Sequence, residues 1–262
     1  MICAGIDAGS RTTKVVLLDT RGEAQAASLC HQLGHAIADQ GPRPDEIARE
    51  LFEQTLRESD LSRSEVSRIV ATGYARRAIS FADDVVTEIT CHARGVTHLL
   101  PGTRTVIEIG GQDSKILRLD ESGSVRDFAM NDRCAAGCGR FLEVLAGRFG
   151  IGIEALAGMA RRSLRPAEIN STCVVFAETE IIGLLAGGAQ PAEIVAGVVS
   201  SIASRVATLA GGEVSAPVVF TGGVALLPSM AEALGSALGA GITVAPDPQY
   251  TGALGAALMG GE

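Results

Sequence analysis

The apolar positions of this chain fall into short continuous runs that end at glycine, separated by longer stretches that read as helices. The first run, ICAGIDAGSRTTKVVLLDTRGEAQAAS, predicts a buried strand at 2–7, a Gly/Ser turn, a strand at 15–19, a turn at 20–22 and a third strand. A second run, TVIEIGGQDSKILRLDESGSVRDFAM at 105–130, predicts strand, Gly-rich turn, strand, Asp/Gly turn and strand again. The two share a skeleton: Lys14, Asp19 and Gly22 in one have the spacing of Lys115, Asp120 and Gly123 in the other. Such a long separation points to a duplicated domain rather than a short-period repeat.

Between the copies the pattern predicts a helix at about 44–59, a strand at 67–73 and a helix at 88–100. After the second copy come helices near 136–149, 153–161, 177–186 and 192–209, then a buried strand at 218–223. A helix from Pro228, a strand at 242–245 and a helix at 251–259 close the chain. Strands alternating with helices give an α/β fold class. The expected boundary lies near Pro101 and Gly102, giving domains of 1–102 and 103–262, with the last helix, about 251–260, packing back on the first domain.

Composition narrows the function. The length of 262 residues suits one large or two ordinary domains, and a net charge of −8 argues against a nucleic-acid partner. Two tyrosines, seven phenylalanines and no tryptophan leave little for stacking bases or sugars. No basic-then-apolar leader opens the chain, and no apolar run reaches the length of a membrane span. Six scattered cysteines do not form a disulfide framework, so a reducing, cytoplasmic setting without a membrane partner is expected. Of the 22 basic residues only Lys14 and Lys115 are lysines, and each sits in one of the repeated turns.

Those turns carry chemistry. In DAGSRTTK (7–14) a strand ends in an acidic residue, Gly9 frees the turn, and Ser10, Thr12, Thr13 and Lys14 supply donors and a cation. Successive amides in such a turn make an anion-binding concavity, and Asp7 suits a Mg²⁺ held through water. EIGGQDSK (108–115) repeats the recipe with Glu108, Gly110, Gly111, Gln112, Asp113 and Lys115. Either motif alone is equally an ordinary hairpin turn; the pair, with the only two lysines inside, favours phosphate binding. A third element, FTGGVALLPSM (220–230), is a strand ending in a double glycine before a helix.

Two hairpins with phosphate loops and a late strand–GG–helix resemble the actin/Hsp70/sugar-kinase superfamily. That resemblance implies a duplicated actin-like, ribonuclease-H-like two-domain fold with ATP in a cleft. It further implies that Asp7, Gly9, Ser10, Arg11, Thr12, Thr13 and Lys14 bind phosphate and Mg²⁺, together with Gly110, Gly111, Gln112 and Asp113. Gly222 and Gly223 would back the adenosine, and Gln249 would touch the nucleotide. Gln112 or Glu108 would position the hydrolytic water.

The cysteines divide by setting. Cys3 and Cys30 lie in apolar strands and read as packing, as does Cys91. Cys134 and Cys173 each stand just before an expected helix, where partial positive charge favours a thiolate or an anionic centre. Position alone leaves packing and ligation evenly matched for these two. The segments NDRCAAGCGRFLEVLA, INSTCVVFAETEI, ATGYARR, ITCHARG, VIEIGGQDSK and PQYTGALGAAL resemble the ATP-dependent activators of 2-hydroxyacyl-CoA dehydratases and the ATPase subunits of benzoyl-CoA reductase. That resemblance implies a homodimer holding one [4Fe-4S] cluster through Cys134 and Cys173 of each copy. Ferredoxin or flavodoxin would be the electron donor, and an acyl-CoA dehydratase or reductase the acceptor. Dehydratase activators carry GTG where this chain reads GCG, and some reductase-type subunits carry Cys, so Cys138 leaves the branch open and is a possible accessory ligand. His92, in CHARG, reads as a structural histidine. The alternatives are a sugar or acid kinase of the same fold and a nucleotide-gated sensor without a cluster.

Overall fold

The computed structural model describes residues 1–20, 31–131, 137–163, 165–171, 173–212 and 214–262. Cys30 and Cys134 lie outside the described residues. In chain order the first elements are β1 (Ile2–Ala8), β2 (Thr12–Asp19), β3 (His31–Asp39), α1 (Pro44–Glu58), β4 (Val66–Thr72), β5 (Asp84–Val85) and α2 (Glu88–Leu99). Then come β6 (Thr105–Ile109), β7 (Ser114–Leu119), β8 (Val125–Asn131), α3 (Gly139–Phe149), α4 (Ile153–Ala160), α5 (Val174–Ala186) and α6 (Pro191–Ala210). The chain closes with β9 (Val218–Thr221), α7 (Pro228–Leu238), β10 (Ile242–Val244) and α8 (Thr251–Gly260).

Two compact units result. The first takes Met1–Val106, Leu117–Asp127 and Ala245–Glu262, the second Ile107–Ile116 and Phe128–Val244. The single cut expected near Pro101 and Gly102 is thus replaced by an interleaved division. Its cause is local: the tip of the β7–β8 hairpin and the closing helix find their contacts with the N-terminal segment.

The first unit is built on the sheet β3-β2-β1-β4-β5. β2 pairs antiparallel with β1 and β3, while β1–β4 and β4–β5 are parallel. Every residue of β1 is buried, as expected for a central strand covered on both faces. Alternation decides which face each side chain serves. Ile6, Val15 and Leu17 join Leu51, Phe52 and Leu56 of α1, whereas Val16 and Leu18 join Ala253, Leu254 and Ala257 of α8. α8 approaches β1 so closely that a Cβ on Gly5 would stand 1.8 Å from the Ala253 carbonyl oxygen. Glycine is therefore a packing requirement at that position.

The second unit carries the sheet β10-β9-β6-β7-β8, with β9 and β10 parallel. Its core joins Ile107, Ile109 and Phe220 of the sheet to Phe141 and Leu145 of α3, Val198 and Ile202 of α6, and Met230 of α7. α6 corrects the expectation of no span-length apolar run: it has 20 residues, and its most apolar window of 18 residues has a mean hydropathy of 1.4. Half of that window is buried within the unit, and the helix carries Glu193 and Arg205, the profile of a core helix. α5 begins at Val174 rather than near 177. Val174 and Val175 look strand-like in sequence, but burial of Ala177 and Ile181, one turn apart, carries the helix back to Cys173.

Candidate functional site

The β1–β2 hairpin builds the first loop. Gly9 N–H donates to the Thr12 carbonyl at 3.1 Å, closing a tight turn. The register sets Asp7 opposite Lys14, and Lys14 Nζ lies 3.3 Å from Asp7 Oδ2. The Lys14 side chain keeps 15% exposure, so it is paired yet accessible. Strand alternation puts Asp7, Thr12 and Lys14 on the α8 face and Thr13 on the α1 face beside Ala8. The expected loop residues are thereby divided: Thr13 is fully buried and its hydroxyl has no hydrogen-bond partner. Ser10 is half-buried and Arg11 exposed in the turn. Gln40, which no sequence signal marked, fastens the loop by donating from Nε2 to the Gly9 carbonyl at 2.9 Å.

The β6–β7 hairpin builds the second loop on the same plan with a different electrostatic result. Gly110 N–H donates to the Asp113 carbonyl at 3.0 Å. Lys115 Nζ reaches both Glu108 Oε2 and Asp113 Oδ2 at 2.8 Å, and its side chain is 1% exposed. Such a buried cation is tolerated because carboxylates of good geometry replace its water. Gln112 is exposed at the tip. Gly222, at φ +90°, lies against this loop: a Cβ there would stand 2.5 Å from the Ile109 carbonyl and 2.7 Å from Glu108 Oε1. Glu108, Gly110, Gly111, Asp113, Gly222 and Gly223 are therefore neighbours in one unit. Gln249 belongs to the other unit, half-buried in the turn before α8.

The second loop is also tied to a helix start. The N–H groups of Gly139 and Arg140 donate to the carbonyls of Gly110 and Gly111 at 2.9 and 2.8 Å. Two of the unsatisfied donors at the start of α3 are thus used by the loop backbone.

Among the described cysteines, Cys3, Cys91 and Cys138 are buried and Cys173 is exposed. Cys138 packs with Phe141 and Leu142 in the core. Burial is the main cause that pushes the Cys91 thiol up to about 12, so it stays protonated. Cys173 stands at the N-cap of α5. The segment before it is pinned by Glu180, whose carboxylate accepts from the backbone N–H groups of Asn170 and Ser171, each at 2.8 Å. Partial burial pushes the Glu180 carboxyl up, but these bonds outweigh it and hold the pKa below its ordinary value. The solvent side of α5 bears Val175 and Phe176, each 69% exposed, and Ile182 one to two turns on. Among the described residues, no group of three or more His, Cys, Asp or Glu side chains is placed to hold a metal.

Known proteins match this arrangement over its full length. The chain is 42% identical to the activator of lactoyl-CoA dehydratase from Anaerotignum propionicum, covering 100% of this chain and 98% of that protein. It is 32% identical to a benzoyl-CoA reductase component from Thauera aromatica, covering 99% of this chain and 93% of that protein. The structure of the activator of 2-hydroxyisocaproyl-CoA dehydratase from Clostridium difficile, with bound ADPNP, superposes with a TM-score of 0.92. That match has 38% identity and covers 100% of this chain and 94% of the other. The architecture is the actin-like ATPase fold expected from the paired hairpins. Residues 4–260 match the pattern of one protein family throughout, and the chain belongs to the BadF/BadG/BcrA/BcrD ATPase family.

Proposed function

We propose that this chain is an ATP-hydrolysing one-electron transfer activator of a partner acyl-CoA dehydratase or reductase. The observation that carries the reading is Cys173: an exposed thiol at a helix start, beside an uncovered apolar helix face, in a chain whose relatives are named as activators. The higher identity to a dehydratase activator than to the reductase component favours the dehydratase branch.

In this reading Lys14 and the loop amides around Gly9 and Gly111 bind the phosphates of ATP. Asp7 in the first unit and Asp113 in the second are the candidates to hold Mg²⁺ through water, as carboxylates at magnesium sites commonly do. Gln112 or Glu108 orients the attacking water, while Gly222 and Gly223 back the adenosine and Gln249 adds a polar contact. Ser10, Arg11 and Thr12 contribute further donors, and Thr13 places its buried hydroxyl behind them. The bonds from Gly139 and Arg140 to Gly110 and Gly111 give the second loop a mechanical link to α3. A γ-phosphate that moved the loop would move that helix start too, provided it binds the two conformations unequally.

Cys173 fits a thiolate-ligated group, because α5 points its positive end at the sulfur and the pinned 170–171 segment fixes its approach. With Cys134 it would supply half of a ligand set completed by a second copy, and the stripe of Val175, Phe176 and Ile182 suits burial against that copy. A [4Fe-4S] cluster held there supplies a one-electron carrier of low potential, accepting from ferredoxin or flavodoxin.

Anaerobic purification with iron and sulfide assay tests this directly. About four irons per dimer are expected, with a reduced-cluster EPR signal that changes on adding ATP. Cys173→Ser should lose the iron and keep nucleotide binding. A colourless, iron-free protein after reconstitution would overturn the reading in favour of a kinase or a nucleotide-gated sensor.

A further inference from the structure

The carboxylate of Asp7 is enclosed on three sides. Lys14 Nζ lies 3.3 Å from Oδ2. Gly73, at φ +89°, brings its backbone so near that a Cβ there would stand 2.3 Å from Oδ1. At Gly252, in the first turn of α8, a Cβ would stand 3.2 Å from Oδ2. The same Cβ would stand 3.1 Å from Cε1 and 3.2 Å from Nε2 of His92. The Nε2 edge of the imidazole and Oδ2 of Asp7 therefore border one small space, kept open because Gly252 has no side chain.

His92 is itself held. It is 5% exposed on α2, and its Nδ1 lies 2.9 Å from Thr251 Oγ1. Thr251 is fully buried at the start of α8, with Oγ1 3.5 Å from the Pro248 carbonyl oxygen. Burying an imidazole is costly unless its nitrogens are engaged. Here one nitrogen is fixed by a hydroxyl and the opposite edge is turned toward a carboxylate. The neighbouring Cys91 registers the same surroundings: burial chiefly raises its thiol, and the negative charge of Asp7 pushes the same way.

We propose that His92 is a positioning residue for Asp7. Its ring edge orients the Asp7 carboxylate toward the magnesium–phosphate group of the nucleotide, and Thr251 sets the ring. The inference rests on the nucleotide reading of the first loop and goes beyond it. It converts the histidine of CHARG from a packing residue into part of the site, and it gives α2 and α8 a share in shaping the phosphate grip.

Two isosteric variants separate this role from a structural one. His92→Asn retains a polar atom near Nδ1 for Thr251 and removes the edge that faces Asp7. His92→Gln reaches the Nε2 position and gives up Thr251. Calorimetry of ADP binding with and without Mg²⁺ is the readout. The Mg²⁺-dependent affinity should fall about 10–100-fold in His92→Asn and be largely kept in His92→Gln, while binding without Mg²⁺ changes little in either. If His92→Gln is the weaker binder, or both lose affinity equally with and without Mg²⁺, the histidine serves packing through Thr251 and the inference fails. Asp7→Asn measured alongside distinguishes the two levels. An impaired Asp7→Asn with a normal His92→Asn overturns only the role of His92, whereas a normal Asp7→Asn removes the reading of the loop, and this inference with it.

Discussion

The two hairpin loops share one plan and differ at a position that decides how tightly their lysines are held. Each hairpin sets an acidic residue opposite a lysine seven residues later, Asp7 with Lys14 and Glu108 with Lys115. Where the first loop has Thr12, the second has Asp113, and that extra carboxylate closes on Lys115 at 2.8 Å. Lys14 has Asp7 at 3.3 Å and some exposure; Lys115 has two carboxylates at 2.8 Å and almost none. In the function proposed above, the first lysine trades its carboxylate for a phosphate, whereas the second is a strut that shapes the loop through the groups around it. The same side chain at equivalent positions then serves ligand binding in one hairpin and architecture in the other.

The largest effect should come from breaking the strut. Lys115→Met leaves Glu108 buried beside Asp113 without its cation, and removing one partner of a buried ion pair costs about 3–5 kcal/mol. Denaturant unfolding should show that loss, and Lys14→Met, which removes a longer and partly exposed pair from Asp7, should lose less. Lys115→Arg sharpens the contrast. The planar guanidinium cannot reproduce the two 2.8 Å contacts that a compact buried ammonium makes to Glu108 and Asp113, so this variant should also destabilise, while Lys14→Arg folds normally. Equal stability of the Lys14 and Lys115 variants would remove the distinction between the two loops.

Much of this was legible in the sequence. The hairpins announced themselves through continuous apolar runs ending at glycine, because a strand covered on both faces needs no polar alternation. The retention of lysine at only two positions pointed to the loops, and for Lys115 the structure supplies a cause: a compact ammonium fits between two carboxylates. What sequence could not give was which face each residue takes. Thr12 and Thr13 are chemically equivalent donors on paper, yet the pleat sends Thr13 away from Asp7. The unit boundary was hidden for a related reason: the return of the last helix was expected, but residues 117–127, the far end of the β7–β8 hairpin, group with the first unit through contacts that no local pattern marks. Gln40 and Gly252 carried no local signal at all; their roles exist only once the strands and α8 are assembled. The start of α5 was misplaced by three residues because Val174 and Val175 favour a strand locally, and tertiary burial overrode that preference.

The next effect in size belongs to the accessible lysine. Lys14→Met should weaken ATP and ADP binding by about tenfold or somewhat more, the value of one charge-assisted hydrogen bond at roughly 1.5–3 kcal/mol. Titration of nucleotide against the folded variant reads this out. An unchanged affinity would mean that Lys14 serves only Asp7, and the two lysines would then differ in exposure but not in task.

The smallest effect tests whether the first loop owes its shape to neighbours that the second does not need. Gln40 holds the Gly9 carbonyl through one bond, whereas the second loop has both its glycine carbonyls bound by the backbone of α3. A side-chain clasp can be removed and a backbone clasp cannot. Gln40→Ala should cost about 0.5–1.5 kcal/mol in stability, the net worth of an ordinary hydrogen bond. Hydrogen exchange should quicken in the turn around Gly9 and stay unchanged at Gly110. If exchange quickened in both loops, a clasp in one hairpin would be shaping the other, and the two could no longer be treated as independently built sites.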